Sequence, residues 1–164
     1  MIFVILTPFL LLLMGCPVDT KFPFGTPGTE KIDKDLIGTW INPTGEENAD
    51  ILKVKISKKD NFSYDVIVLE KGGMYMADTN VFVGFVSKLD GKNFFYLQSA
   101  GRTDKNYLYH YTFDGKQLLT HDVGLKVGGI DAITSTEAFR KEVSASLLLE
   151  DCLNGEIKWE KADR

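Results

Sequence analysis

Two histidines, His110 and His121, are the residues best suited to metal or proton chemistry. If Asp114-Gly115 form a two-residue turn, Phe113 pairs with Lys116 and His110 with Leu119. His121 then sits diagonally across the same face, about 7–8 Å away between α-carbons. A three-residue turn would put the two on opposite faces. Two histidines without a third ligand make a poor zinc site. Asp122 points to the other face from His121, and no HxH or HExxH spacing occurs. Ordinary strand histidines are therefore expected, with no metal. Gly-x-Ser-x-Gly is absent, and Gly72-Gly73 and Gly128-Gly129 read as turns rather than phosphate loops. Acidic residues are scattered through loops, so a catalytic pair would be invisible in the sequence; with no nucleophile motif, neither an enzyme nor a cofactor is expected.

The stretch "NYLYHYTF", residues 106–113, offers binding rather than catalysis. In a strand, Tyr107, Tyr109, Tyr111 and Phe113 share one face, and Leu108, His110 and Thr112 share the other. An inward aromatic row could line a pocket for an apolar or planar ligand, with each hydroxyl fixing orientation. An outward row would mark a protein partner or a membrane contact. The same row could also be plain core, since small barrels fill themselves with side chains.

Cys16 ends the run "LLLLMGC" at residues 10–16. The apolar stretch from Met1 to Gly15, broken only by Thr7 and Pro8, is shorter than the ~20 residues a spanning helix needs. Its length suits a signal peptide. Leu13-Met14-Gly15-Cys16 resembles the lipobox of bacterial lipoproteins. That resemblance implies acylation of Cys16 on sulfur, removal of residues 1–15, and acylation of the new amino terminus. Several acyl chains on one residue hold a protein firmly to a membrane. In this group an Asp after the cysteine favours inner-membrane retention; Pro17 stands there instead, which favours the periplasmic face of the outer membrane. One departure is that the first charge is Asp19, whereas signal peptides open on Lys or Arg. Either the leader is atypical or the true start lies upstream of Met1. Cys152 is then a lone thiol expected half-buried beside Leu147–Leu149; the rival is a Cys16–Cys152 disulfide.

Composition sets the remaining bounds. A chain of 164 residues shorn of its leader makes one domain with a proper core. The net charge of −4 argues against nucleic acid, and Lys53, Lys55, Lys58 and Lys59 read as the solvated side of a strand and its turn. Residues 17–35 carry three prolines and two glycines without apolar period, so residues 16–35 are expected to be the lipidated cysteine and a flexible tether. Phe22 and Phe24 are candidates to dock on the domain.

From residue 36 to 164 the pattern is one β domain. Leu52, Val54 and Ile56 alternate with Lys53, Lys55 and Ser57, and five β-branched and aromatic runs follow. Asp90-Gly91 and Asp114-Gly115 are hairpin dipeptides, and "GRTDKN" is a longer hairpin loop. Strand and turn recurring every ~8–12 residues predict an antiparallel meander closed into a barrel or sandwich. Thr134 and Glu137 form a capping box, after which Phe139, Val143 and Leu147 share a helix face. Asn154-Gly155 should end that helix, and "EIKWEK" should form the last strand.

Gly38-Thr39-Trp40 resembles the GxW motif of lipocalin and calycin barrels, in which the tryptophan plugs the closed end. A helix between the last two strands is similar to that family as well. The resemblance implies a mainly β fold, an antiparallel up-and-down barrel with one helix before the last strand. The TDY-type turn has no clean counterpart, since Thr103-Asp104 is followed by Lys105-Asn106 before Tyr107. The arginine that packs over the tryptophan is not found in the expected final strand among Arg102, Arg140 and Arg164. The functional expectation is a lipid-anchored envelope protein holding a small apolar ligand in its lumen by Trp40, Tyr107, Tyr109, Tyr111 and Phe113. The alternative is an envelope interaction module, an inhibitor or assembly partner, with a filled core.

Overall fold

The computed structural model describes residues 18–42, 51–70 and 80–162. Nine strands appear among them: β1 (Asp19–Thr20), β2 (Gly38–Asn42), β3 (Leu52–Lys58), β4 (Tyr64–Glu70), β5 (Val81–Leu89), β6 (Lys92–Ser99), β7 (Asn106–Asp114), β8 (Gln117–Val123) and β9 (Leu153–Lys161). From β2 to β9 each strand pairs antiparallel with the next, and β9 returns to β2 through Trp40 opposite Lys161 and Ile41 opposite Glu160. The result is a closed eight-stranded up-and-down barrel with one helix, α1 (Thr136–Ser146), before the last strand. Closure removes the open sheet edges that would template aggregation. β1 is a two-residue addition beside the start of β7, with Asp19 opposite Tyr107 and Thr20 opposite Asn106.

The turns follow local chemistry. Asp90 and Gly91 both take positive φ, +51° and +74°, as a type I′ hairpin requires. The β7–β8 turn differs from expectation by one residue. Asp114 pairs with Gln117, so the two loop residues are Gly115 and Lys116, and of these only Gly115 has positive φ. A glycine in the first loop position suits a II′ hairpin. The shift makes His110 face His121 directly rather than diagonally.

The core has two layers because part of the barrel wall is buried on both sides. Inside the barrel lie Trp40, Ile56, Val66, Phe95, Leu97, Tyr111, Leu118 and Trp159. Outside β6 and β7, Phe94, Tyr96 and Leu108 lie under Phe24, Phe139 and Val143. This is why β6 and β7 are apolar on both faces.

The segment expected to be a tether is bound to this outer layer. Phe24 is fully buried, 5.0 Å from the Phe94 ring and 5.1 Å from that of Phe139. Burying one such ring is worth about 2–3 kcal/mol, enough to overcome the flexibility that prolines and glycines suggest. Arg140 reinforces it, donating from Nη1 to the Phe24 carbonyl at 3.3 Å and to Ser87 Oγ at 2.8 Å.

α1 starts one residue later than the capping box implied. Its N-cap is Ser135, whose hydroxyl accepts from the Ala138 backbone NH at 3.0 Å. Phe139 and Val143 are buried on the inner face as expected. Glu142 is buried beside them at 6% exposure. Its carboxylate accepts from the backbone NH groups of Val127, Gly128 and Gly129, and from the Ser146 hydroxyl. Burial pushes its pKa up, but these bonds outweigh it and hold the group below the usual glutamate range. Gly128-Gly129 thus form a backbone cradle for the protein's own carboxylate. Asn154-Gly155 do not end the helix; they lie inside β9. Gly155, at φ +61°, and Glu156 together oppose His121, as in a G1 bulge.

Candidate functional site

The lumen is closed at one end by the 3₁₀ turn Lys34–Leu36, which precedes β2. Leu36 is 1% exposed and projects among the inward residues. Hydrogen bonds fix this plug: the Trp40 indole donates to the Leu36 carbonyl at 2.8 Å, the Tyr64 hydroxyl donates to the Asp33 carbonyl at 2.9 Å and accepts from the Asp33 backbone NH, and the Tyr111 hydroxyl donates to the Asp33 carboxylate at 3.1 Å. Lys161, in β9, places its ammonium 5.1 Å from the centre of the Trp40 ring. The cation over the tryptophan is thus a lysine of the last strand, where the sequence reading sought an arginine. Gly38 makes room for it, since a Cβ there would come within 2.4 Å of Lys161 Cε.

Above the plug lies a cavity of about 70 Å³. Its walls are almost wholly apolar, among them Leu36, Val54, Val68, Leu97, Leu118 and Ile157. Of the five ligand residues expected from sequence, Trp40, Tyr109 and Tyr111 line this cavity. Tyr107 and Phe113 share their inward face but are used in packing. Tyr107 sits edge-on to Phe82 at 5.9 Å, and Phe113 lies 6.3 Å from Trp40 and 6.0 Å from Tyr111.

Five lining residues carry polar side-chain atoms, and four of these atoms are satisfied. Trp40 and Tyr111 bond to the plug, and the Trp159 indole donates to Thr120 Oγ1 at 2.8 Å. The fifth is the Tyr109 hydroxyl, which is sealed from solvent and has no hydrogen-bond partner. Burial, then the nearby Asp122 charge, pushes its pKa above the ordinary tyrosine value. Asp122 is the direct cross-strand partner of Tyr109 and shares its inward face. Burial raises the Asp122 carboxyl to about 6. The sequence reading placed Asp122 opposite in facing to His121 but did not connect it with Tyr109. The true β7–β8 register makes that connection.

His110 and His121 lie on the outer face of the same two strands, with ring centroids 5.5 Å apart. Both Nδ1 atoms are buried without partners, and His121 Nε2 is 3.4 Å from Glu156 Oε2. Burial first, then His121 and Lys92, lowers the His110 pKa to about 4. Among the described residues no three His, Cys, Asp or Glu side chains converge as metal ligands. Cys152 is a free, buried thiol whose pKa burial raises, and its Sγ donates to the Gly124 carbonyl at 3.4 Å. It is an inert core residue, more buried than the sequence suggested. Cys16 and residues 1–15 lie outside the described residues. Among the described residues no helix is long and apolar enough to cross a membrane.

No family model matches this chain, and no curated protein or solved structure matches it either. The architecture defines the class: a closed eight-stranded antiparallel barrel with a plugged base and a small apolar lumen.

Proposed function

We propose that the protein is a lipid-anchored envelope protein that acts by binding, taking a small apolar ligand into its barrel lumen. The observation that carries this reading is the apolar cavity inside the barrel, above the plug. The cavity's size restricts the ligand. It exceeds the roughly 10–15 Å³ that admit one water and falls below the roughly 150 Å³ that admit benzene. A molecule of a few heavy atoms, or the tip of an alkyl chain, fits; a drug-sized ligand of about 300 Å³ or more does not.

Val68→Phe, which places a ring in the cavity, tests the reading. Small apolar probes such as xenon should raise the melting temperature of the parent chain and leave that of the variant unchanged. Equal responses in both, or none in either, would contradict lumen binding.

The anchor is proposed from the lipobox resemblance alone: acylation of Cys16, with Pro17 favouring the outer membrane. Cys16→Ser should release the protein from the membrane fraction. Retention would remove the anchor from the account.

The small volume also supports a second reading, an envelope interaction module with an essentially solid core. That module would show no ligand response, and its activity would survive Val68→Phe.

A further inference from the structure

We infer that the end of the barrel opposite the plug rests on a lipid bilayer, with an exposed apolar rim set into the headgroup region. The inference rests on the proposed acylation of Cys16 and adds which face of the barrel that anchor turns to the membrane.

In an up-and-down barrel successive connections alternate between the two ends. β2 leaves the plug, so its far end, the start of β3, the end of β4 and the start of β5 lie at the unplugged end. The start of β7, the end of β8 and the start of β9 lie there too. Among the described residues seven large apolar side chains are exposed, and none belongs to the plugged end's turns, 59–63, 90–91 and 115–116. Ile51 precedes β3, Leu69 is next to last in β4, and Val81 opens β5. Val81 stands opposite Ile67, so Leu69 is its diagonal neighbour on the outer wall. Val127 and Ile130 follow β8, and Ile130 shares a surface groove with Asp19 and Thr20 beside the start of β7. Leu148, 86% exposed, and Leu149 precede β9. The Lys126 backbone NH donates to the Ser146 hydroxyl at 2.8 Å and holds these last two connections together.

The anchoring segment joins the barrel near the same end. β1 pairs with the first two residues of β7, and Asp19 forms an ion pair with Lys105. Cys16 stands three residues before Asp19, a span of at most about 10 Å. Tyr107, the partner of Asp19, is seven residues from Asp114 at the plugged end, about 24 Å along the strand. Cys16 therefore comes no closer than about 14 Å to the plugged end. An acylated Cys16 at the bilayer surface cannot seat the plug there.

The distribution of the apolar residues selects the partner. They stand on two sides of one end, on β3–β5 and beside β8 and β9, and a broad flat surface touches both at once. The β6–β7 loop between them pairs its charges internally or with β1, Arg102 with Asp104 and Lys105 with Asp19. The contact is thus apolar and needs no anionic lipid.

The test uses the full acylated chain in phosphatidylcholine vesicles, with a nitroxide attached in turn at Val81→Cys, Val127→Cys, Leu148→Cys and, at the plugged end, Lys116→Cys. Cys152 is buried and does not take the label. Collisions with oxygen, which concentrates in the bilayer, and with a water-soluble nickel chelate read the depth of each label. The three rim labels should lie about 5–10 Å into the interface and the Lys116→Cys label in water, at low and high salt alike. Rim labels in water on vesicle-bound protein would overturn the inference and leave the anchor intact. Immersion at only one of Val81→Cys and Leu148→Cys would overturn it in favour of a barrel lying on its side, and immersion at Lys116→Cys would overturn it outright. Rim labels shielded from both reagents before vesicles are added would overturn it in favour of a second copy or a protein partner. A chain that does not float with the vesicles would remove the anchor and this inference together.

Discussion

The Trp40 indole donates to the carbonyl of Leu36, four residues earlier, across 2.8 Å. That bond ties the plug to the first barrel strand, so the apolar lumen ends at Leu36. Leu36→Ala should cost about 2–5 kcal/mol, the range for truncating a fully buried leucine. It should also enlarge the lumen, so that aromatic probes too large for the parent chain begin to bind. Urea unfolding and a benzene titration measure the two effects.

His110 gives the protein an acid-sensitive wall. Its pKa is lowered to about 4 from an ordinary 6.5, so the folded state favours the neutral ring. Protonation favours unfolding, and stability should fall as pH drops from about 6.5 towards 4, by an amount on the order of 2 kcal/mol. Asp122 acts in the opposite sense. Its pKa is raised to about 6, so the folded state penalises the charged form and stability rises as pH falls from about 6 towards 3.8. Single variants separate them: His110→Gln should remove the acid loss, and Asp122→Asn should deepen it, in unfolding curves collected across pH 4–7.

Glu142 is the hold of α1 on the loop before it. Glu142→Ala would take the shared acceptor from the backbone NH groups of Val127, Gly128 and Gly129, at a cost of about 1–3 kcal/mol. Because its pKa is depressed, the same contribution should be lost in the parent protein as pH falls through the folded-state value, below the ordinary glutamate range. Hydrogen exchange at residues 127–129 should report the loss directly.

The helix start is a smaller, independent check. Ser135→Ala removes the hydroxyl that accepts from Ala138 NH and should cost about 1 kcal/mol, whereas Thr134→Ala should be near neutral. Denaturant midpoints of the two variants distinguish the caps.

Much of the barrel was legible in the sequence because its signals are local. Alternation in Leu52–Ser57, the Asp90-Gly91 turn, and the face shared by Tyr109 and Tyr111 each follow from period and φ preference alone, whereas the inward direction of that face is set by barrel closure. The errors fall where tertiary contacts override local pattern. Prolines and glycines around Phe24 read as a tether, but an aromatic pocket between Phe94 and Phe139 holds the segment down. Asn154-Gly155 read as a helix stop and serves as a strand bulge, because both uses need a residue with positive φ. The site was half visible: Trp40, Tyr109 and Tyr111 follow from strand facing. Asp122 depended on a register that a one-residue difference in a turn decides, and Leu36 and Lys161 on the long-range closure of β9 onto β2.

Native mass spectrometry of the full chain, purified gently from the cells that make it, tests the central claim most directly. The account predicts a small adduct that disappears on denaturation and is absent from Val68→Phe. A bare mass, unchanged after incubation with envelope lipids and with short alcohols, would contradict lumen binding and leave the barrel as a solid interaction module.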